Sequence, residues 1–319
     1  MIRLPAHQTP LSGRQYTLHA DAYTATIASV GASLRVLQHR DRDLVVPFEA
    51  DQLRPAYRGA ILAPWPNRVV EGRYTYDGVT QQLALTEPDR GHALHGLAVW
   101  HDFAGEQTDP KRVELQTQLP AQQGYPHQIE VAVSYELDEH GLLTSVTGTN
   151  VGPRTAPWGT APYPYLVAGG GRVDDWSLEL PANSILTVTP DRLVPVGIGE
   201  VATTAGGTFD FRIERSLDGI EIDHAFTHLA RDEGGVTTVR LRDSTGRGVA
   251  MTFDEACPWV QIHTADRPEP SLNRVGLAVE PMTCAPDAFN SGVGLIHLAP
   301  GESHRATWRI QAMTPEEAR

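Results

Sequence analysis

Residues 127–151 read HQIEVAVSYELDEHGLLTSVTGTNV. From Ile129 to Leu137 apolar and polar side chains alternate, so every second residue faces the same way in an extended chain. The run breaks at a polar turn around His140-Gly141, and a β-branched run follows at once. Two such runs around a short turn are the pattern of an antiparallel hairpin. A helix would need its apolar residues three and four apart, and these are two apart.

The same period recurs along the chain, in YTATIASV, RVELQTQL, SILTVTP, TTVRLRD, WVQIHTA and RATWRIQAM. Asp77-Gly78 sits between two alternating runs, a strong hairpin signal, and a further turn is expected around Ser244 to Gly248. Long amphipathic helical patterns with caps are missing, and only EADQLR and APDAFN have the character of short helical turns. The 29 glycines and 24 prolines suit many tight connections. The fold class is therefore all-β, a large antiparallel β-sandwich. Neither a linker composition nor a fixed-period repeat divides the chain, so residues 1–319 are expected to form one domain, with 314–319 as a frayed polar tail.

Composition narrows the partners. Thirty-nine acidic residues against 26 Lys and Arg leave a formal charge of −13, which disfavours nucleic acid and anionic membranes. The chain has no apolar stretch long enough to span a bilayer and no signal-peptide core at its start. Two cysteines, Cys257 and Cys284, stand far apart without a CxxC, so they read as buried structural thiols in a cytoplasmic protein.

Four stretches are unusual for a sandwich that only holds itself together: APWPNRVVEGRY with Asn67 and Arg68; GHALHGLAVWHDF with His92, His95 and His101; APWGTAPYPYLVAGGG with Trp158, Tyr163 and Tyr165; and IEIDHAFTHL with Asp223 and His224. A fifth, GLAVEPMTCAPDAFNSG, sets Glu280 where a buried apolar strand is expected to end and a proline-rich loop to begin. An acid there is either a rim residue paired with an arginine or a functional group. The histidines lack the ligand spacing of a zinc site, so no metal is expected. A GxSxG elbow, a Rossmann fingerprint and a P-loop are all missing, and no matched second acid suggests a glycosidase. Proton chemistry remains, carried by carboxylate, imidazole and phenol, with Trp100, Trp158 and Trp259 able to stack on a sugar face.

The ordered set PNRVVEGRYTYDG, HALHG, GYPHQIEVAVSYEL, DHAF and VEPMTCAPDAFNSG resembles the aldose 1-epimerase (mutarotase) family over nearly the whole chain. The resemblance implies a galactose mutarotase-like supersandwich with an open sugar cleft and no cofactor. It implies Glu280 as the base for the C1 hydroxyl, His95 near the ring oxygen, and Arg68 and Asp223 as hydrogen-bonding groups for the sugar. Asn67, Trp158 and Gln261 complete the expected substrate contacts. One position departs from the family pattern: Tyr163 stands before Pro-Tyr where a histidine acid is expected. Either Tyr163 or His95 then serves as the acid, or the protein binds a monosaccharide without epimerising it efficiently. A sugar-phosphate mutarotase would also need cations at the cleft, and Arg54, Arg58 and Arg73 lie near Arg68 in sequence. The expected assembly is a monomer or homodimer.

Overall fold

The computed structural model describes residues 9–314. The expected tail therefore lies outside the described residues except for Thr314. Three larger antiparallel sheets carry the fold. A nine-stranded sheet includes, as successive neighbours, Ala104–Asp109, Arg112–Leu119, Ile129–Asp138, Gly141–Asn150, Ser303–Met313 and Gly248–Phe253. A six-stranded sheet runs Tyr165–Leu166, Leu277–Met282, Trp259–His263, Asp223–Leu229, Ala182–Val188, Pro195–Glu200. A four-stranded sheet, Gln15–Ala20 to Arg42–Asp43, packs onto the nine-stranded one, where the Tyr135 hydroxyl donates to Ala32 O at 2.6 Å.

The opening hairpin forms as its alternation demands. Val131, Val133, Tyr135 and Leu137 are buried in one contiguous core, while Glu130, Ala132 and Ser134 face outward. Its register pairs Asp138 with Gly141, so the turn residues are Glu139 and His140, one position earlier than the sequence suggests. Gly141 itself has a φ of 107°, and a Cβ there would lie 2.3 Å from the carbonyl oxygen of Ile310 on the next strand. A glycine is required just after the turn because a neighbouring backbone already fills the side-chain space. The Asp77-Gly78 hairpin and the connection between Arg242 and Gly248 form as expected. The second half of APDAFN begins the short helix Ala288–Ser291, whereas residues 49–54 form turns that lead into a 3-10 turn at Pro55–Tyr57.

Trp158 occupies the core. Its ring fills the space left by Gly148, where an added Cβ would sit 2.3 Å from the indole. Gly148→Ala should therefore force the ring or the strand to move and destabilise the protein by about 1–3 kcal/mol. A lower urea midpoint with unchanged slope would register that loss.

Candidate active site

Period two sorts the six-stranded sheet into two faces. Leu277 and Val279 enter the main core together with Val260, Ile262 and Phe226. Ala278, Glu280 and Met282 point to the other side. Register then fixes their neighbours: Gln261 lies opposite Glu280, and Asp223 lies opposite His263. Gln261 and His263 are two apart, so four polar side chains share one face.

Glu280 is the fourth residue of its strand and not its end, since Leu277–Met282 continues through Pro281. The proline is tolerated for a geometric reason. Val279 and Thr283 send their N–H groups to Pro164 O and Thr160 O, on the flank away from Trp259–His263. Position 281 shares that parity, so the missing donor leaves the ladder with Gln261 intact.

A second element closes the site from above. Arg68–Val70 pairs with His92–Leu94, which brings Asn67, Arg68 and His95 to one mouth. Asn67 and His95 both have left-handed backbone, at φ 53° and 65°. They brace each other, because the His95 N–H donates to Asn67 O at 2.8 Å. The Asn67 Oδ1 also accepts from the Arg68 N–H at 2.9 Å. Arg68 is gripped by Glu87 through two bonds, Nε–Oε2 at 2.7 Å and Nη2–Oε1 at 2.9 Å. Its Nη2 lies 3.8 Å from Asp223. Arg90 holds the same Glu87 at 2.9 Å.

Together these groups line a cleft of about 350 Å³ that also takes in Tyr57, Tyr163 and Arg267. That is the size range of small-molecule sites. Glu280 is 1% exposed and its Oε2 has no hydrogen-bond partner among the described residues. Burial and then the neighbouring Asp223 carboxylate push its pKa well above the ordinary value, against the smaller pull of Arg68. Burial, joined by Arg68, drives His95 well below its usual range, so the imidazole is neutral near pH 7. Its Nδ1 is also unpartnered.

The Tyr163 ring lies 4.8 Å from the His95 ring, and its hydroxyl accepts a bond from the Tyr165 hydroxyl at 3.3 Å. That leaves the Tyr163 proton free to donate. Burial, then Tyr165 and Glu280, hold the phenol well above its ordinary pKa, so it keeps that proton. Asp223 is different. Burial opposes its charge, but His263 and Arg68 outweigh it and lower its pKa, while Gln261 donates to its Oδ1 at 2.6 Å. The cleft thus pairs an open carboxylate of raised pKa with two neutral proton donors, beside a fixed anion and a fixed cation.

The structure brings Glu280, His95, Tyr163, Arg68, Asp223, Asn67 and Gln261 into one cleft. Trp158 is the exception and a correction: fully buried against Gly148, it has no face for a sugar. Trp259 is buried as well, and Trp100 is half exposed beside Tyr57 but outside the cleft lining. His92 is a strut, its Nδ1 accepting from the Glu71 N–H at 3.1 Å and its Nε2 lying 2.9 Å from Arg192 O. Arg54 bonds Val30 O and Ser33, and Arg73 lies at a separate hollow with Glu71 and Asp287. Among the described residues no group of three or more His, Cys, Asp or Glu side chains is placed to hold a metal ion.

Sequence reading missed Tyr57, Glu87, Arg90, His263 and Arg267. His263 was within reach, standing two residues from Gln261 in an alternating strand. Glu87 and Arg90 lie in a loop without periodicity, so only coordinates bring them to Arg68. Removing the charge of Glu87 leaves a nearly buried guanidinium half paired; Glu87→Gln should cost about 3 kcal/mol, read as a fall in the denaturation midpoint.

Known proteins resemble this chain along nearly its whole length. The family model described as aldose 1-epimerase matches residues 14–311. The chain is 33% identical over 314 residues to the uncharacterized protein YihR of Escherichia coli K12, covering 97% of this chain and 98% of that one. It is 26% identical to the galactose mutarotase of Sus scrofa, with 93% of each chain covered. Among solved structures, the GalM/aldose epimerase homologue from C. elegans superposes with a TM-score of 0.82 at 18% identity, covering 94% of this chain and 98% of that one. A family model and a relative that each match nearly the entire length establish one thing: the chain belongs to the aldose 1-epimerase family.

Proposed function

We propose that the protein interconverts the α and β anomers of an aldose by acid and base groups acting from opposite sides of the ring. Glu280 takes the proton from the C1 hydroxyl, and Tyr163, with His95 against its ring, gives one to the ring oxygen. The O1–H and C1–ring-oxygen bonds break while C1=O and ring-oxygen–H form. Rotation about C1–C2 and reversal of the two transfers yield the other anomer. Atoms and electrons balance within the sugar, so the reaction calls for no redox partner.

The observation that carries this reading is the free Oε2 of Glu280 in the same cleft as Tyr163 and His95. A carboxylate with nothing bonded to it has a lone pair ready for a substrate proton, and its raised pKa makes it a stronger base once ionised. The neutral His95 and the proton-retaining Tyr163 suit donation to a ring oxygen. Loss of the phenol proton is costly, and the Tyr165 hydroxyl at 3.3 Å is placed to stabilise the resulting oxyanion. Arg68 and Asp223 offer fixed partners for sugar hydroxyls, and Asn67 and Gln261 hold those two in place.

Anomeric exchange measured by NMR tests the assignment. Glu280→Gln should slow exchange roughly 10²–10⁴-fold, the range for loss of a general base. Tyr163→Phe should slow it about ten-fold or more, and Tyr163→His should keep or improve it. An unchanged rate in Glu280→Gln removes that residue as the base. Substrate binding without any exchange would instead favour a sugar-binding protein, a reading that the tyrosine at position 163 motivates.

The pH profile supplies a separate check. Exchange rises as Glu280 ionises, so the acid limb of kcat/KM should lie above the ordinary carboxylate value of 4.5. The alkaline limb should lie above 10, because Tyr163 loses its proton later than a free phenol. His95 should give no limb near 6.5, being neutral already. An acid limb at or below 4.5 contradicts the raised Glu280 and with it the proposed base.

A further inference from the structure

Several arginines of this chain are held by carboxylates. Arg68 has Glu87, Arg274 has Asp174 and Asp266, and Arg242 has Glu179 and Glu214. With 39 acids for 26 basic residues, partners are plentiful. Two arginines beside the cleft go without. Arg58 is 6% exposed, its Nε is buried and unmatched, and its guanidinium makes no side-chain hydrogen bond or ion pair among the described residues. It lies 5.6 Å over the ring of Tyr165. Arg267 lines the cleft, and its Nη2 reaches the hydroxyl of the same Tyr165 at 3.5 Å. Asp266, its neighbour in sequence, is occupied by Arg274.

Two guanidinium groups around one phenol repel each other, and burying one of them without an anion is unfavourable. The stacking on Tyr165 offsets part of that and leaves the like-charge contact in place. Burial, joined by repulsion from Arg267, accordingly lowers the pKa of Arg58. An anion would satisfy both groups, and the fork of a guanidinium matches phosphate, sulfonate or carboxylate oxygens in pairs.

We infer that the sugar accepted in this cleft carries an anionic substituent on an exocyclic carbon, held by Arg267 and Arg58 around Tyr165. The inference rests on the reading of the cleft as an aldose site and adds the chemical class of the aldose. Of the three arginines that follow or precede Arg68 most closely in sequence, only Arg58 contributes. Its partner Arg267 comes from the loop after Trp259–His263, a strand separated from Tyr165–Leu166 by Leu277–Met282.

Glucose, glucose 6-phosphate, glucose 6-sulfonate and glucuronate separate the possibilities when compared by anomeric exchange NMR and by calorimetric binding. At least one anionic sugar should exceed glucose in kcat/KM by about 30-fold or more, mostly through KM, and its KM should rise with salt. Which one does so identifies the anion. Arg267→Gln should lower the ratio of anionic to neutral kcat/KM at least ten-fold, and Arg58→Gln should do the same. Arg267 is exposed, so its variant keeps the test valid if Arg58→Gln fails to fold. Equal handling of charged and neutral sugars, or an unchanged ratio in Arg267→Gln, overturns the inference and leaves the mutarotase reading standing. Charge-dependent binding with no exchange of any sugar supports the anion site and removes the mutarotase reading. Failure of all three anionic sugars to bind overturns the inference as well.

Discussion

A carboxylate with one oxygen left unbonded, buried on a strand whose other face belongs to the hydrophobic core, governs the arrangement of this protein. Isolated charges are expensive to bury, so Glu280 needs compensating surroundings. The protein supplies them at a distance. Arg68 attracts the carboxylate without bonding it, and Glu87 prevents Arg68 from swinging in to do so. Burial, and after it Asp223, keep the Glu280 pKa high, while His263 and Arg68 draw the Asp223 pKa down against its own burial. Each charge is fixed by a neighbour other than Glu280, which leaves the base available.

The sheets explain how such a cluster stays ordered. Three central strands of the six-stranded sheet deliver Asp223, Gln261, His263 and Glu280 by register alone, two residues at a time. The opposite wall is a short pairing of Arg68–Val70 with His92–Leu94, tied down by His92 and Arg192. One wall is stiff through its ladder and its core contacts. The other is stiff through side-chain bonds to backbone.

Much of this was legible in the residues. Alternation at Ile129–Asp138 gave strand and face together, and the position of Glu280 in an apolar run marked it for attention. Other features follow from contacts between parts of the chain that sequence does not order. Trp158 looked like a stacking platform because tryptophan suits both a sugar and a core; a glycine ten residues earlier decided between them. Pro281 looked like the end of a strand because a missing donor usually is, and only the parity of Val279 and Thr283 shows why it is not. Arg267 and Tyr57 sit on loops whose destinations carry no periodic signal.

The left-handed backbone at Asn67 and His95 restricts what evolution can write there. Asparagine and histidine are among the few L-residues that enter that conformation readily, and β-branched ones enter it poorly. The imidazole at position 95 is therefore chosen twice, by its ring and by its main chain, and a threonine or valine would be refused before any sugar arrived.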